Sequence, residues 1–188
     1  MIIPVAGMDP SFTHWGIAKA NLCLDSGELS TPQLTVIEPE KLNTKQVRVN
    51  SSDMFRSEQL AEEVLRVAQS CKVMFVEVPV GSQSARAMTS YGVCVGILGM
   101  LRSMGHQIIE VTASEVKYHL TGNKNATKQN MIDEAVKLYP NSNWPTRKLK
   151  GKVEITSKAE HAADAIAAIH AGVHTPAFQT LMRLLEKV

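Results

Sequence analysis

The chain has 188 residues, 44% hydrophobic and 20% charged, with a formal net charge of +2. That length suits one domain, expected over residues 1–188, with room for a real core. The composition excludes a disordered chain, and the near-neutral balance excludes a binder that works by overall charge alone.

The elements follow in chain order. "IIPVAGMD" reads as a first strand and "HWGIAKANLCL" as a second, with "DSGE" turning into a third, "QLTVIEP", to make a meander. Asn43 to Ser52 is polar and reads as a loop. Ser57 to Ser70 carries Leu60, Val64, Val67 and Ala68 at helical spacing. "KVMFVEV" is a continuous apolar run, as for a strand covered on both faces, and Pro79 and Gly81 stop it. Gln83 to Met104 reads as a long helix with little polar surface, so it is either central or covered by a partner subunit. "HQIIEVT" is a further strand, followed by a short helix from Ala113 to His119 and a longer one from Thr127 to Tyr139. Asn141 to Ile155, with Trp144, Pro145 and the basic "RKLKGK", reads as a loop or lid. Lys158 to Gly172 is Ala-rich and helical, and Pro176 opens a last amphipathic helix. Three strands, helix, strand, helix, strand and then helices make an α/β fold with a mixed sheet.

No apolar run is long enough to cross a bilayer, and "MIIPVAG" lacks the basic and long apolar parts of a signal peptide. Cys23, Cys71 and Cys94 are scattered, with no CxxC and no His/Cys cluster, so reduced thiols in a cytoplasmic protein are expected and zinc is not. Between Lys117 and Lys158 cations far outnumber the three acids Asp133, Glu134 and Glu154, which makes one basic region inside a nearly neutral chain.

Three acids stand where burial is expected. Asp9 ends the first strand, Glu77 ends another, and Asp164 sits in "EHAADAIAAIHAG" among alanines and isoleucines. An uncompensated buried carboxylate is costly. Singly, each has an ordinary reading: a turn former for Asp9, an ion pair for the others. Together, neighbouring strands can set Asp9 beside Glu77, and a helix across the sheet end can add Asp164. Clustered carboxylates suit Mg²⁺ or Mn²⁺. Two such ions, about 3.5–4 Å apart, activate water and stabilise a leaving oxygen in phosphodiester hydrolysis. Glu160 and His161, four and three residues before Asp164, can face the same side. The alanines would let this helix approach the strands closely.

These stretches resemble the RuvC family of Holliday junction resolvases. "GMDPSFTHWGIA" is similar to the family's first motif and "VMFVEVPVGSQSARAMTSYGVCVGIL" to its second. "VTASEVKYHLTGNKNATKQNMIDEAV" resembles its most specific segment, and "HAADAIAAI" its closing helix. The resemblance implies an RNase H-like α/β fold with a mixed five-stranded sheet flanked by helices. It implies a homodimer, with the 83–104 helix suited to the interface, that makes paired nicks in branched DNA during recombination and repair. It implies two Mg²⁺ or Mn²⁺ ions held by Asp9, Glu77, His161 and Asp164, with His161 preferred to Glu160 as fourth ligand. Lys117 and Lys128 fall on lysines near the scissile phosphate. Arg86, Lys124, Arg147 and Lys148 are further candidates for phosphate contacts. Val78 and Val80 stand where the family often has an aromatic that works at the junction crossover. Trp144 is a candidate replacement, against a packing role. The rival readings are a flap, fork or RNA–DNA hybrid nuclease of the same fold, a non-catalytic junction binder, and a sugar-kinase or actin-like ATPase. The last would need more glycine in phosphate loops and a second half-domain.

Overall fold

The computed structural model describes residues 1–42, 48–149 and 151–185. Its centre is a five-stranded sheet in the order β3-β2-β1-β4-β5. β1 (Ile2–Asp9), β2 (Trp15–Cys23) and β3 (Gln33–Ile37) form the expected antiparallel meander, while β4 (Val73–Glu77) and β5 (Ile108–Val111) run parallel to β1. The sheet is therefore mixed.

Both faces of the sheet are covered, and strand alternation assigns the side chains. Val5, Val73 and Phe75 point to a core shared with α3 (Ala113–Thr121), α4 (Lys128–Leu138), α5 (Ala159–Gly172) and α6 (Pro176–Leu185). Ala6, Met8, Met74 and Val76 point the other way, to α1 (Val49–Gln69) and α2 (Ala85–Ser103). This is why Val73 to Val76 are apolar at every position. Among the described residues no helix is long and apolar enough to cross a membrane.

Helix α5 runs against the sheet at unusually short range. A Cβ added at Gly7 would lie 1.8 Å from the Ala165 carbonyl oxygen, and one at Gly16 would lie 2.1 Å from that of His161. Glycine on the strands and alanine on the helix together permit this approach. Ala162, Ala163, Ala165, Ile166 and Ile169 are all fully buried.

Two expectations need correction. The segment expected as a loop from Asn43 to Ser52 falls partly outside the described residues (43–47), but from Val49 it is already helix α1. The buried stripe of that helix continues upward from Leu60 through Arg56 and Asp53, polar residues where periodicity looks for apolar ones. The loop or lid expected from Asn141 to Ile155 contains a β-hairpin, β6 (Thr146–Leu149) paired antiparallel with β7 (Lys152–Ile155), separate from the main sheet. Trp144 is buried in the core and its indole N–H donates to the Tyr139 carbonyl at 2.9 Å, so it packs and does not reach out. Cys94 is buried, whereas Cys23 and Cys71 are partly exposed; all three are free thiols.

Candidate metal centre

Parallel pairing sets Met8 opposite Val76, so Asp9 and Glu77, each one residue further on, end their strands side by side. The chain then leaves the sheet on both strands, and a cleft opens between these ends and the first turns of α5. Asp9, Glu77, Glu160, His161 and Asp164 line it, with Tyr91 and Ala113 at its rim, in a volume of about 290 Å³. A larger groove of about 650 Å³ between α4 and β7 holds no such convergence of acids.

The imidazole of His161 makes the shortest link across the cleft, Nδ1 to Asp9 Oδ2 at 2.6 Å. Its ring is also stacked on that of His14, with centroids 5.5 Å apart and planes 2° from parallel. His14 Nε2 lies 3.6 Å from Glu38 Oε2, and Lys158 Nζ lies 2.5 Å from Glu38 Oε1. Glu160 is turned away onto Lys128, whose Nζ is 2.5 Å from Oε1. The turn after Asp9 is pinned from below. Arg56 donates to the Phe12 carbonyl at 2.9 Å and sits 4.1 Å over the Phe12 ring.

Electrostatics marks the same cleft. Burial, then the charge of Asp9, raises Glu77 to about 7, with Lys117 pulling the other way. Burial, then Asp9, Glu77 and Glu160, raises Asp164 to about 8, against the pull of His161. The bond to Asp9 raises His161 above the ordinary imidazole range, against its burial. Like charges crowded in a poorly solvated site hold protons unless a cation compensates them. Hard carboxylate oxygens with one imidazole are a donor set that fits Mg²⁺ or Mn²⁺. As oriented, no three His, Cys, Asp or Glu side chains among the described residues stand close enough to form a ligand shell. Asp9 is engaged with His161 and Glu160 with Lys128.

The remaining candidates are dispersed. Lys117 and Lys128 border the acids, and each acts on their charges. Lys124 is exposed in the loop between α3 and α4. Arg147 and Lys148 lie on the exposed β6 strand, with Arg147 3.6 Å from Glu154. Arg86 is held by two bonds to Asp53, at 2.5 and 2.8 Å, beside the buried Arg56. It ties α2 to α1, which the sequence reading missed. His14 was missed as well. Its only sequence signal is a polar aromatic in the turn after Asp9. Val80 is 92% exposed at the mouth of the cleft.

Comparison with solved structures gives the fold. The chain is similar to Thermus thermophilus RuvC at 21% identity, covering 97% of both chains with a TM-score of 0.61. It is similar to Thermus thermophilus RuvC in complex with a Holliday junction substrate at 20% identity, covering 96% of each, TM-score 0.62. It also resembles the yeast mitochondrial Holliday junction resolvase at 11% identity, covering 96% of this chain and 85% of that one, TM-score 0.58. No family model and no curated protein matches the chain. The mixed five-stranded sheet flanked by helices is thus the RuvC-type, RNase H-like fold.

Proposed function

We propose that this chain is a divalent-metal-dependent endonuclease that cuts branched DNA and resolves four-way junctions. The observation that carries the reading is the convergence of Asp9, Glu77, His161 and Asp164 on one cleft at the open end of the sheet. The solved structures of similar fold support it, one of them being a complex with a Holliday junction.

Asp9, Glu77, His161 and Asp164 would hold two Mg²⁺ or Mn²⁺ ions, which when bound supply a nucleophile from water and stabilise charge on the scissile phosphate and leaving oxygen. Asp9 is the central acid, because it faces both Glu77 and His161. His14, stacked behind His161, fixes the imidazole plane so that Nδ1 stays aimed at the cleft. Lys117 and Lys128 are placed to hold the phosphate backbone and offset its charge. Glu160 acts as the partner that parks Lys128 at the rim and not as a ligand.

The active form is a homodimer through α2, which lets two sites nick opposite strands. Met88, Gly92, Val95, Gly96 and Gly99 form one exposed stripe along that helix. No atom would lie within 4 Å of a Cβ added at any of the three glycines. Such a smooth, uncharged face suits close helix packing against a second copy.

The test is a substrate panel with Mg²⁺: four-way junction, flap, fork, RNA–DNA hybrid and plain duplex. The reading expects symmetrical nicks in the junction and little cutting of duplex. Equal cutting of duplex, or preference for the hybrid, would overturn it. Binding without cutting in either Mg²⁺ or Mn²⁺ would make the protein a junction binder.

A further inference from the structure

The β6–β7 hairpin stands outside the architecture that builds the cleft. All eight of its strand residues are exposed, and β7 borders α4 only across a groove at Glu154 and Ile155. Its root, in contrast, is firmly anchored. The Asn143 side chain pairs with both backbone groups of Leu34 on the edge strand β3, at 2.7 and 2.8 Å. Trp144 is buried beside it, and Thr156 N–H donates to the Pro145 carbonyl at 2.9 Å. Gly151 turns the tip with φ of +79°. The hairpin leads directly into α5, which starts at Ala159, two residues before His161.

A bare two-stranded ribbon is at best marginally stable in water. This one also exposes Leu149, Val153 and Ile155 at 42%, 66% and 38%. Its charge indicates what would cover it. Register places Arg147 opposite Glu154 and Leu149 opposite Lys152 on one face, and Lys148 opposite Val153 on the other. Cations therefore point out of both faces, and Glu154, the one acid, already faces Arg147. A ribbon that is cationic on both faces fits between two rows of phosphates better than on a flat surface. The major groove of B-DNA, about 12 Å wide, admits a two-stranded ribbon.

We infer that the β6–β7 hairpin is a DNA-binding ribbon that seats in the major groove of a duplex arm beside the cleft, held there by Arg147, Lys148 and Lys152. The inference rests on the nucleic-acid reading above but is separable from it, because the groove belongs to any duplex and not to the branch point. Arm contact outside the site would add affinity and set the approach of the branch to α5.

The experiment measures binding of the wild type and of Arg147→Gln/Lys148→Gln/Lys152→Gln to a duplex and a four-way junction over a range of salt. Three lost phosphate contacts lower the slope of log K against log salt by about 2–3 and weaken binding at least about tenfold on both probes. Dimethyl sulfate, which reads guanine N7 in the major groove, should show protection along one arm by the wild type and none by the triple variant. A Lys148→Arg/Lys152→Arg variant must keep slope and protection. Because these side chains are exposed, melting should not change, and this separates lost contacts from lost fold. Unchanged slope, or a lower slope without N7 protection in the wild type, overturns the ribbon. A wild type that binds duplex through these charges yet never cuts a junction overturns the proposed function and leaves the ribbon standing.

Discussion

Replacing Asp164 by Asn tests whether the cleft is a site of crowded carboxylates held at a cost. Asp164 is largely buried among Asp9, Glu77 and Glu160, and this raises it from 3.8 to about 8. Its folded pKa lies above its unfolded one, so the unfolded chain loses the proton first. Stability is complete below about pH 4 and is lost as pH rises toward 8. At pH 7 the difference of about three pH units from 3.8, at 1.36 kcal/mol each, amounts to ~4 kcal/mol. Asn keeps the shape and never ionises. Asp164→Asn should therefore stabilise the metal-free protein by ~4 kcal/mol at pH 7 and by ~1–2 kcal/mol at pH 5. At roughly 2–4 °C per kcal/mol for a chain of this size, melting should rise by about 10 °C at pH 7. The assay is thermal melting with a chelator present, from pH 5 to 9, on both proteins. Equal melting temperatures, or a difference that does not grow with pH, would mean that Asp164 is not held protonated by its surroundings. Mg²⁺ should then raise the melting temperature of the wild type, more at pH 8 than at pH 6, and leave the Asn variant nearly unmoved.

Three further outcomes follow from the same geometry. Gly16→Ala drives a Cβ to 2.1 Å from the His161 carbonyl and should cost about 3 kcal/mol or more in urea denaturation, because helix and strand must separate; a loss below about 1 kcal/mol would mean α5 is not tightly seated. Asp53→Ala leaves Arg56, 5% exposed, without its anion and should cost about 3 kcal/mol, whereas Arg86→Ala, at an exposed partner, should cost clearly less; equal costs would contradict the assigned hierarchy. His161→Ala should lower cleavage at least about 100-fold and Glu160→Ala less than about tenfold. The reverse order would make Glu160 the fourth ligand.

What could be read in the sequence was whatever depends on short-range pattern. The apolar runs of β1 and β4 placed Asp9 and Glu77 at strand ends, and the register of parallel neighbours then brought them together. The alanines of α5 pointed to a close approach, though not to Gly7 and Gly16 as its counterparts, since that pairing exists only across the fold. The first turns of α1 were hidden because Asp53 and Arg56 occupy its buried stripe, where they satisfy Arg86 and Phe12 from distant segments. The hairpin was hidden because its strands are short and exposed: Thr146 to Leu149 shows no apolar alternation, and Lys152 to Ile155 alternates over only four residues. Spacing left Glu160 and His161 equivalent and the family resemblance favoured His161; in the structure Glu160 meets Lys128 and His161 meets Asp9.

The central claim is that the acids of this cleft cut a branched DNA. The most direct measurement incubates a labelled synthetic four-way junction with the wild type and with Asp9→Asn, in Mg²⁺, and follows binding and strand scission in the same tubes. Both proteins should bind, the wild type should release nicked duplexes with paired cuts, and the Asn variant should leave the junction whole. Cutting by Asp9→Asn at the wild-type rate, or a wild type that binds and never cuts, would contradict it.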